Sequence, residues 1–348
     1  MRRGETVAVS DIGIDLGTTT TLIHVANSGI VLSEPSIVAV NTQTGELLGY
    51  GEAAKEMVGK TPANIVAIYP MMDGVISDYE VTEKMLKYYL SKVCKNWIIK
   101  PRIAVCIPSQ TTKIESKAVM KAAMAVGARK VYLVEEPVAA AIGAGLDILK
   151  PEGNMIVDIG GGTTDVAVIS LGGIVASNSI KLAGRKIDES IVRYIKNKYK
   201  VLLGEKTAEK AKIEAGSVWE NDPDFKYEVK GRNLMLGLPV KITITRADLY
   251  NAMIDDAMQI VRAAKNVLEK TPPELIGDIM KNGMLLTGGG SLLRGLRELM
   301  EEQTGTKVVV ADNAIECVAK GTGKTFEFID KLSDGFNANS VDGFITAD

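Results

Sequence analysis

The sequence of 348 residues is poor in the residues that build metal centres and disulfide frameworks. Its one histidine, His24, argues against His-based metal sites and a Ser–His catalytic triad, and we expect a structural role for it. The three cysteines, Cys94, Cys106 and Cys317, lie far apart without metal-ligand spacing. This pattern predicts reduced, structural thiols in a cytosolic protein.

The sequence also has little net charge and no long hydrophobic run. The net charge of −2 gives no overall attraction for nucleic acid, so we expect no nucleic-acid partner. No run approaches the roughly 20 apolar residues of a membrane span. The N-terminal MRRGETVAVSD lacks the apolar segment of a signal peptide. We therefore expect a cytoplasmic protein, with any membrane contact peripheral.

A strand–turn–strand pattern occurs twice, as IGIDLGTTTTLIHV at 12–25 and MIVDIGGGTTDVAV at 155–168. Aligned without a gap, Asp15 falls on Asp158. A glycine-rich turn lets backbone N–H groups approach phosphate oxygens, and an aspartate beside it can hold hydrated Mg²⁺. Each copy alone also fits an ordinary β-hairpin. The match in register across both copies favours two phosphate-binding hairpins.

Between and after the hairpins, strands and helices alternate, which predicts two successive α/β domains with mixed sheets. In the first domain we predict strands at 102–107 and 130–135 and helices at 52–57, 81–93, 113–126 and 137–145. In the second we predict helices at 188–200, 208–215, 246–269 and 292–302. The polar stretch from Ser333 predicts a disordered tail.

The segment VYLVEEPVAAAIGAG brings Glu136 from a strand end to a helix start, with Pro137 at the first helical position. The Glu136 carboxylate could order or deprotonate a water for attack on a γ-phosphate. The alternative is an acidic residue favoured there by the helix dipole. The two neighbouring phosphate hairpins favour the catalytic interpretation.

Two further elements suit a nucleoside. In LLTGGGSLLRG at 285–295, three glycines would form a flat shelf for adenine and its sugar, with a helix beginning at Ser291. Glu209 and Lys212 lie three apart on a helical face and could hold ribose hydroxyls and the purine edge, although a solvated charged helix also fits. GTGKT at 321–325 lacks the first glycine of a P-loop, so we reject it.

Taken together, these five elements resemble the nucleotide-binding elements of the actin/Hsp70/sugar-kinase ATPase superfamily. The match to MreB-type bacterial actins is close and runs from Ile12 to about Phe328. It implies an actin-like α/β fold of two similar domains, with four subdomains around a nucleotide cleft holding ATP or ADP and Mg²⁺. The implied boundaries are domain I at 9–148 with subdomain IB at about 36–68, domain II at 149–318 with subdomain IIB at about 183–246, a return to domain I at 319–332, and a flexible tail at 333–348.

The resemblance also implies roles for single residues. Asp15 and Asp158 would hold the Mg²⁺ shell through water, and Glu136 would position the attacking water. The residues that would hold phosphates are Gly17, Thr18, Thr19, Thr20, Gly160, Gly161, Gly162 and Thr163. Those that would surround the nucleoside are Glu209, Lys212, Gly288, Gly289 and Gly290. The residues that depart from the usual MreB pattern are Thr19, Thr20, Asp165, Arg185 and Asn313.

The implied function is a slow ATPase that polymerises into cytoskeletal filaments and governs cell shape. Its partners would be further copies of itself in antiparallel protofilament pairs, the inner face of the cell membrane, and other cytoskeletal or membrane proteins. Trp97, Ile98 and Ile99 form an apolar cluster flanked by lysines that suits membrane insertion, although packing within the subdomain is equally compatible. Alternatives are a paralogue driving shape change and motility in a wall-less helical bacterium, and a small-molecule kinase of the same superfamily.

Overall fold

The computed structural model describes residues 11–93 and 100–327. The chain divides into two compact units. The first unit comprises the chain up to Asp147 together with the segment from Val318 onward, and the second comprises Ile148–Cys317. The candidate membrane residues Trp97, Ile98 and Ile99 lie outside the described residues.

The first unit is built on a five-stranded sheet with the order β10-β9-β1-β2-β3. Its strands are β1 (Ile12–Leu16), β2 (Thr20–Val25), β3 (Gly29–Pro35), β4 (Val38–Asn41), β5 (Leu47–Tyr50), β6 (Ile65–Ile68), β7 (Met71–Met72), β8 (Val75–Ile76), β9 (Arg102–Ile107) and β10 (Lys130–Glu135). Its helices are α1 (Glu52–Met57), α2 (Tyr79–Val93), α3 (Lys113–Ala125), α4 (Glu136–Gly143) and, after the second unit, α10 (Cys317–Lys324) with a 3-10 turn at Thr325–Glu327.

The second unit is built on a five-stranded sheet with the order β13-β12-β11-β17-β18. Its strands are β11 (Asn154–Ile159), β12 (Thr164–Ser170), β13 (Gly173–Ile180), β14 (Val201–Leu202), β15 (Lys226–Asn233), β16 (Pro239–Thr245), β17 (Met284–Thr287) and β18 (Val308–Val310). Its helices are α5 (Gly184–Tyr199), α6 (Glu205–Ala215), α7 (Arg246–Lys270), α8 (Pro273–Asn282) and α9 (Leu296–Thr304), with 3-10 turns at Gly289–Leu292 and Ala314–Glu316.

The two large sheets repeat one topology. In each, the first three strands form an antiparallel meander, and the two later strands join the other side of the first strand in parallel. Parallel strands need a crossover, and helices such as α3 provide it. Because parallel strands end at the same edge, the carboxyl ends of β1, β9 and β10 meet, as do those of β11 and β17.

Each unit has its own hydrophobic core. In the first, buried side chains of β1, β9 and β10 pack against α2 and α3, with Tyr89 and Met85 fully buried. In the second, the sheet packs against α5 and the 25-residue helix α7. Thr112 and Thr245 begin α3 and α7 with capping boxes, which satisfies backbone donors of the first helical turns.

Several details differ from the sequence prediction, among them the starts of α5 at Gly184 rather than 188 and of α6 at Glu205 rather than 208. Helix α4 begins at Glu136 rather than Pro137, so Pro137 takes the second helical position. The predicted helix start at Ser291 is wrong. A 3-10 turn ends at Leu292, and α9 starts only at Leu296, because Gly295 between them adopts φ +79°. Helix α8 was not predicted, since it starts at Pro273, the second residue of a proline pair that is typical of a turn.

The GTGKT segment has a packing role. All but its last residue lie in α10, where a Cβ at Gly321 would overlap the Ala139 carbonyl oxygen and one at Gly323 would overlap the His24 ring. The two glycines therefore allow α10 to approach α4 and β2 closely.

Candidate functional site

The carboxyl ends of three parallel strands in the first unit bring Asp15, Cys106 and Glu136 to one edge. Asp15 lies in β1, Cys106 near the end of β9, and Glu136 directly after β10. The Cys106 thiol donates to Asp15 Oδ1 across 3.4 Å. The Glu136 carboxylate lies close enough to Cys106 to raise the pKa of its thiol. The predicted metal-binding and water-positioning residues of this unit therefore share one edge of the sheet.

This edge concentrates negative charge in a partly buried place. Burial raises the pKa of Asp15 to about 6, although the hydrogen bond from Cys106 lowers it somewhat. Burial, followed by the Asp15 and Glu136 carboxylates, raises the pKa of Cys106 well above its ordinary value, so the thiol stays protonated. A bound cation would favour the ionised form of Asp15 and so offset the cost of its burial.

The tip of the first hairpin is held by hydroxyl groups. Ser36 Oγ donates to the Gly17 carbonyl oxygen at 2.6 Å and lies 2.8 Å from Thr21 Oγ1, while the Ser36 N–H donates to the Thr19 carbonyl. Thr18 Oγ1 accepts from the Gly74 N–H at 3.1 Å. The sequence offered no signal for Ser36, which lies beyond β3 and reaches the turn only through the fold.

Thr19 stands out at this tip because its Oγ1 is buried yet bonds to no group within 11–93 and 100–327. A buried hydroxyl without a partner costs free energy, so a rearrangement of the tip that lets Thr19 bond to a ligand or water is favoured. Gly17 cannot carry a side chain, since a Cβ would lie 2.7 Å from the Thr20 carbonyl oxygen. Thr20 begins β2 and pairs with Pro35, so its backbone belongs to the sheet.

The tip of the second hairpin is held mainly by backbone groups. Gly160 N–H donates to the Thr163 carbonyl at 2.9 Å. The first residues of α5 reach back to the turn, with the Gly184 and Arg185 N–H groups donating to the Gly160 and Gly161 carbonyls at 3.2 and 2.9 Å. The N-terminus of this 16-residue helix, with its positive dipole end, therefore adjoins the predicted phosphate loop.

Asp158 occupies the same place in the second unit as Asp15 in the first. It is 5% exposed, and Thr287 Oγ1 donates to its Oδ1 at 2.8 Å. Asp165 lies directly opposite on β12, so both carboxylates project from the same face of the sheet. Gly162 and Thr163 are buried beside them in the turn.

The three glycines of the predicted nucleoside shelf have different roles. Gly288 has φ +77°, and a Cβ there would overlap the Ile159 carbonyl and lie 2.9 Å from Asp158 Oδ1. Gly290 also packs directly on Ile159. Gly289 is exposed, and its nearest neighbour is the side chain of Ile315, which is itself half exposed. Ile315 is an apolar residue that could contact a base, and no sequence pattern indicated it.

Lys212 and Glu209 lie at a junction between α5 and α6. The Lys212 ammonium donates to the Gly184 carbonyl at 3.0 Å and lies 2.9 Å from Asp188 Oδ1, an ion pair whose angles fall short of a hydrogen bond. Burial raises the pKa of Asp188 to about 6, with Lys212 opposing and Glu209 adding to the shift. Lys212 thus supports the α5 start beside the predicted phosphate loop, and its nucleoside contact stays a prediction.

Within 11–93 and 100–327, no helix is both long and apolar enough to cross a membrane. The same ranges hold no group of three or more His, Cys, Asp or Glu side chains placed to bind a metal.

The fold and the repeated aspartate–turn hairpins define an actin-like protein. The chain superposes on the MreB5 protein of Spiroplasma citri bound to ADP with a TM-score of 0.88 at 38% identity, covering 93% of this chain and 98% of that one. A MamK double helical filament subunit gives a TM-score of 0.76 at 20% identity, covering 91% and 98%, which supports the fold alone. The predicted actin-like fold is confirmed.

The chain belongs to the MreB/Mbl protein family, which matches it over residues 9–334. It is 52% identical to the cell shape-determining protein Mbl of Bacillus cereus, covering 92% of this chain and 97% of that protein. It is 48% identical to the cell shape-determining protein MreB of Escherichia coli, covering 92% and 94%. The prediction of a bacterial actin of the cell shape-determining class is therefore confirmed, and neither the kinase nor the motility alternative is favoured.

Proposed function

We propose that the protein is an ATPase whose two hairpins hold the phosphates of the same ATP. The observation that carries the proposal is the repeated half-site, an aspartate one residue before the end of the first strand followed by a small-residue turn, on two sheets of one topology. The relative MreB5 of Spiroplasma citri is bound to ADP in one structure and to AMPPNP in another, which supports a nucleotide as the ligand here.

The residues fit Mg²⁺ as the accompanying ion. Asp15 and Asp158 each offer a carboxylate beside a turn. Mg²⁺ prefers oxygen ligands and keeps several of its waters, so one or two carboxylates are enough to bind it. The raised pKa of Asp15 fits a carboxylate placed to face a cation. When bound, the ion neutralises the charge that develops on the phosphate oxygens. Gly17, Thr18 and Thr19 in the first tip, and Gly160 to Thr163 in the second, would donate hydrogen bonds to phosphates.

Glu136 would act on the attacking water. It is half buried at the start of α4, on the same sheet edge as Asp15. Its carboxylate would accept a hydrogen bond from the water, orient the oxygen toward the γ-phosphorus and take up the proton as the bond forms. Glu209 and Gly288 to Gly290 would surround the nucleoside, with Ile315 against the base.

Hydrolysis would serve filament assembly. We infer that bound ATP favours addition of a second copy and that slow hydrolysis weakens the contact, giving protofilaments in antiparallel pairs. A position at the inner membrane face would use Trp97, Ile98 and Ile99. Replacing Trp97 and Ile98 with charged residues should then abolish co-sedimentation with liposomes.

Sedimentation of the purified chain with ATP, with ADP and without nucleotide tests the filament function. We expect pelleting that depends on protein concentration and is greatest with ATP. An Asp158→Asn variant should lose the ATP dependence, because it removes one proposed ligand. A chain that never pellets under any nucleotide condition would overturn the filament proposal.

A further inference from the structure

A cavity of about 480 Å³ opens in the second unit where β13 ends beside α7. Its volume lies within the range typical of small-molecule sites. Its lining comprises Asn178, Ile180, Lys181, Leu182, Lys186, Asp256, Gln259, Arg262, Ala263 and Asn266. None of these belongs to the predicted nucleotide site, so the cavity raises a separate question about its ligand.

Asp256 is the most informative residue of this lining. It is 7% exposed, and its Oδ2 is buried without a hydrogen-bond partner among the residues of the described ranges. A buried carboxylate oxygen left without a partner is costly, because it has lost its water and gained no donor. Asp256 also lines the cavity, so a small rotation of its carboxylate would let Oδ2 accept a hydrogen bond from a molecule bound there.

The rest of the lining is cationic and rich in amides. Lys186 pairs with Glu189 at 3.0 Å. Lys181 and Arg262 are exposed, and neither forms an ion pair with another residue of the described parts of the chain. The side-chain amides of Asn178, Gln259 and Asn266 can donate or accept. The cavity therefore combines two available cations, a buried acceptor and three adaptable amides.

We propose that this cavity binds a hydroxyl-bearing phosphate ester. The phosphate would lie against Arg262 and Lys181, since guanidinium and ammonium groups bind phosphate through charge-assisted hydrogen bonds. A hydroxyl of the same molecule would donate to Asp256 Oδ2, and the amides would bind further hydroxyls. Inorganic phosphate alone would satisfy the cations and leave Asp256 without a donor. A neutral polyol would donate to Asp256 and leave the cations without an anion.

The same chemistry has two sources, a soluble polyol phosphate or the glycerol phosphate headgroup of a lipid. Titration calorimetry of the full chain, saturated with ADP and Mg²⁺ so that nucleotide binding does not interfere, can separate them. The soluble probes are glycerol 3-phosphate, glycerol and inorganic phosphate. The membrane probes are phosphatidylglycerol vesicles, with phosphatidylcholine vesicles for comparison.

Arg262→Ala tests the phosphate contact, and Arg297→Ala is its matched control, because Arg297 is an exposed arginine on α9 of the same unit that pairs with its neighbour Glu298. We expect Arg262→Ala to weaken binding of glycerol 3-phosphate about tenfold or more, since one charge-assisted contact is lost. Arg297→Ala should bind as the unchanged protein does.

Asp256→Asn tests the hydroxyl contact with little change in shape. It should weaken binding of glycerol 3-phosphate and leave any weak binding of inorganic phosphate unchanged. Binding to phosphatidylglycerol vesicles alone, lost in Arg262→Ala and kept in Arg297→Ala, would assign the site to a headgroup. Binding to neither glycerol 3-phosphate nor phosphatidylglycerol vesicles, or equal binding by Arg262→Ala and Arg297→Ala, would overturn the proposal. An affinity of Asp256→Asn for glycerol 3-phosphate equal to that of the unchanged protein would also overturn the proposal.

Discussion

The two hairpins proposed to bind phosphate have the same strand order and equivalent aspartates, but different parts of the chain hold their tips. In the first, the Ser36 hydroxyl binds the Gly17 carbonyl and lies beside Thr21. In the second, the α5 backbone holds the turn through the Gly184 and Arg185 N–H groups. The equivalent turns are thus supported largely by side-chain hydroxyls in one copy and by a helix N-terminus in the other.

The difference has a consequence for mutation. A side-chain support can be removed by a single substitution, whereas a backbone N–H survives any replacement except proline. The equivalent threonines show the same contrast, since Thr21 lies beside a serine hydroxyl and Thr164 donates to the Leu182 backbone carbonyl at 2.7 Å. We therefore expect the first hairpin to be the more sensitive to conservative substitution.

The largest expected effect belongs to Glu136, which only the first sheet supplies. Glu136→Gln should slow phosphate release about 10²–10⁴-fold, because an amide cannot accept the proton of the attacking water. ATP affinity should stay within a few-fold of the unchanged protein. Glu135→Gln, one residue earlier and also half buried, is the matched control. Single-turnover release from the two variants at equal rates would remove Glu136 from its role.

Gly288→Ala should break the second half-site by steric overlap. Its Cβ would collide with the Ile159 carbonyl at a backbone φ of +77°, so we expect a loss of about 3 kcal/mol in the free energy of unfolding. Gly289→Ala is the control, since its nearest neighbour would lie 3.9 Å away. Urea unfolding measures both. Equal stability of the two variants would show that the shelf relaxes freely.

The α5 support can be examined through Asp188. Its pKa is raised from 3.8 to about 6 in the folded protein, so its contribution to stability is fully present below pH 3.8 and is lost as the pH rises through about 6. Asp188→Asn cannot titrate, so its stability should fall less steeply than that of the unchanged protein between pH 4 and 7. We expect a difference of about 2 kcal/mol over this window. Urea unfolding at each pH measures both proteins. The same dependence of the free energy of unfolding on pH in the two proteins would contradict the raised pKa of Asp188.

The smallest effect tests the hydroxyl support of the first hairpin. Ser36→Ala should lower the free energy of unfolding by about 1–2 kcal/mol, because the Gly17 carbonyl and Thr21 hydroxyl lose a partner. It should also weaken ATP binding through the loosened tip. Ser28→Ala, at an exposed turn, should change neither. An ATP affinity in Ser36→Ala equal to that of Ser28→Ala would show that the tip holds its shape unaided.

Local pattern accounts for much of what the sequence predicted. Helix α1 and strands β9 and β10 have the predicted bounds, because apolar periodicity and turn residues are local signals. The repeated aspartate–turn motif likewise predicted both hairpins. Ser36 and Asp188 were missed, since each meets its partner only after distant segments pack together. The helix predicted after the turn at 288–290 is interrupted at Gly295, which adopts a left-handed φ that the sequence pattern did not indicate.

Site assignments that join the two units remain predictions, as do the subdomain boundaries. The central claim among them is that both hairpins bind one nucleotide. Titration calorimetry with ATP and Mg²⁺ tests it on the unchanged protein, Asp15→Asn and Asp158→Asn. We predict one ATP per chain, with each substitution alone weakening that single binding event. Two ATP molecules per chain, or an unchanged affinity in either variant, would contradict the account.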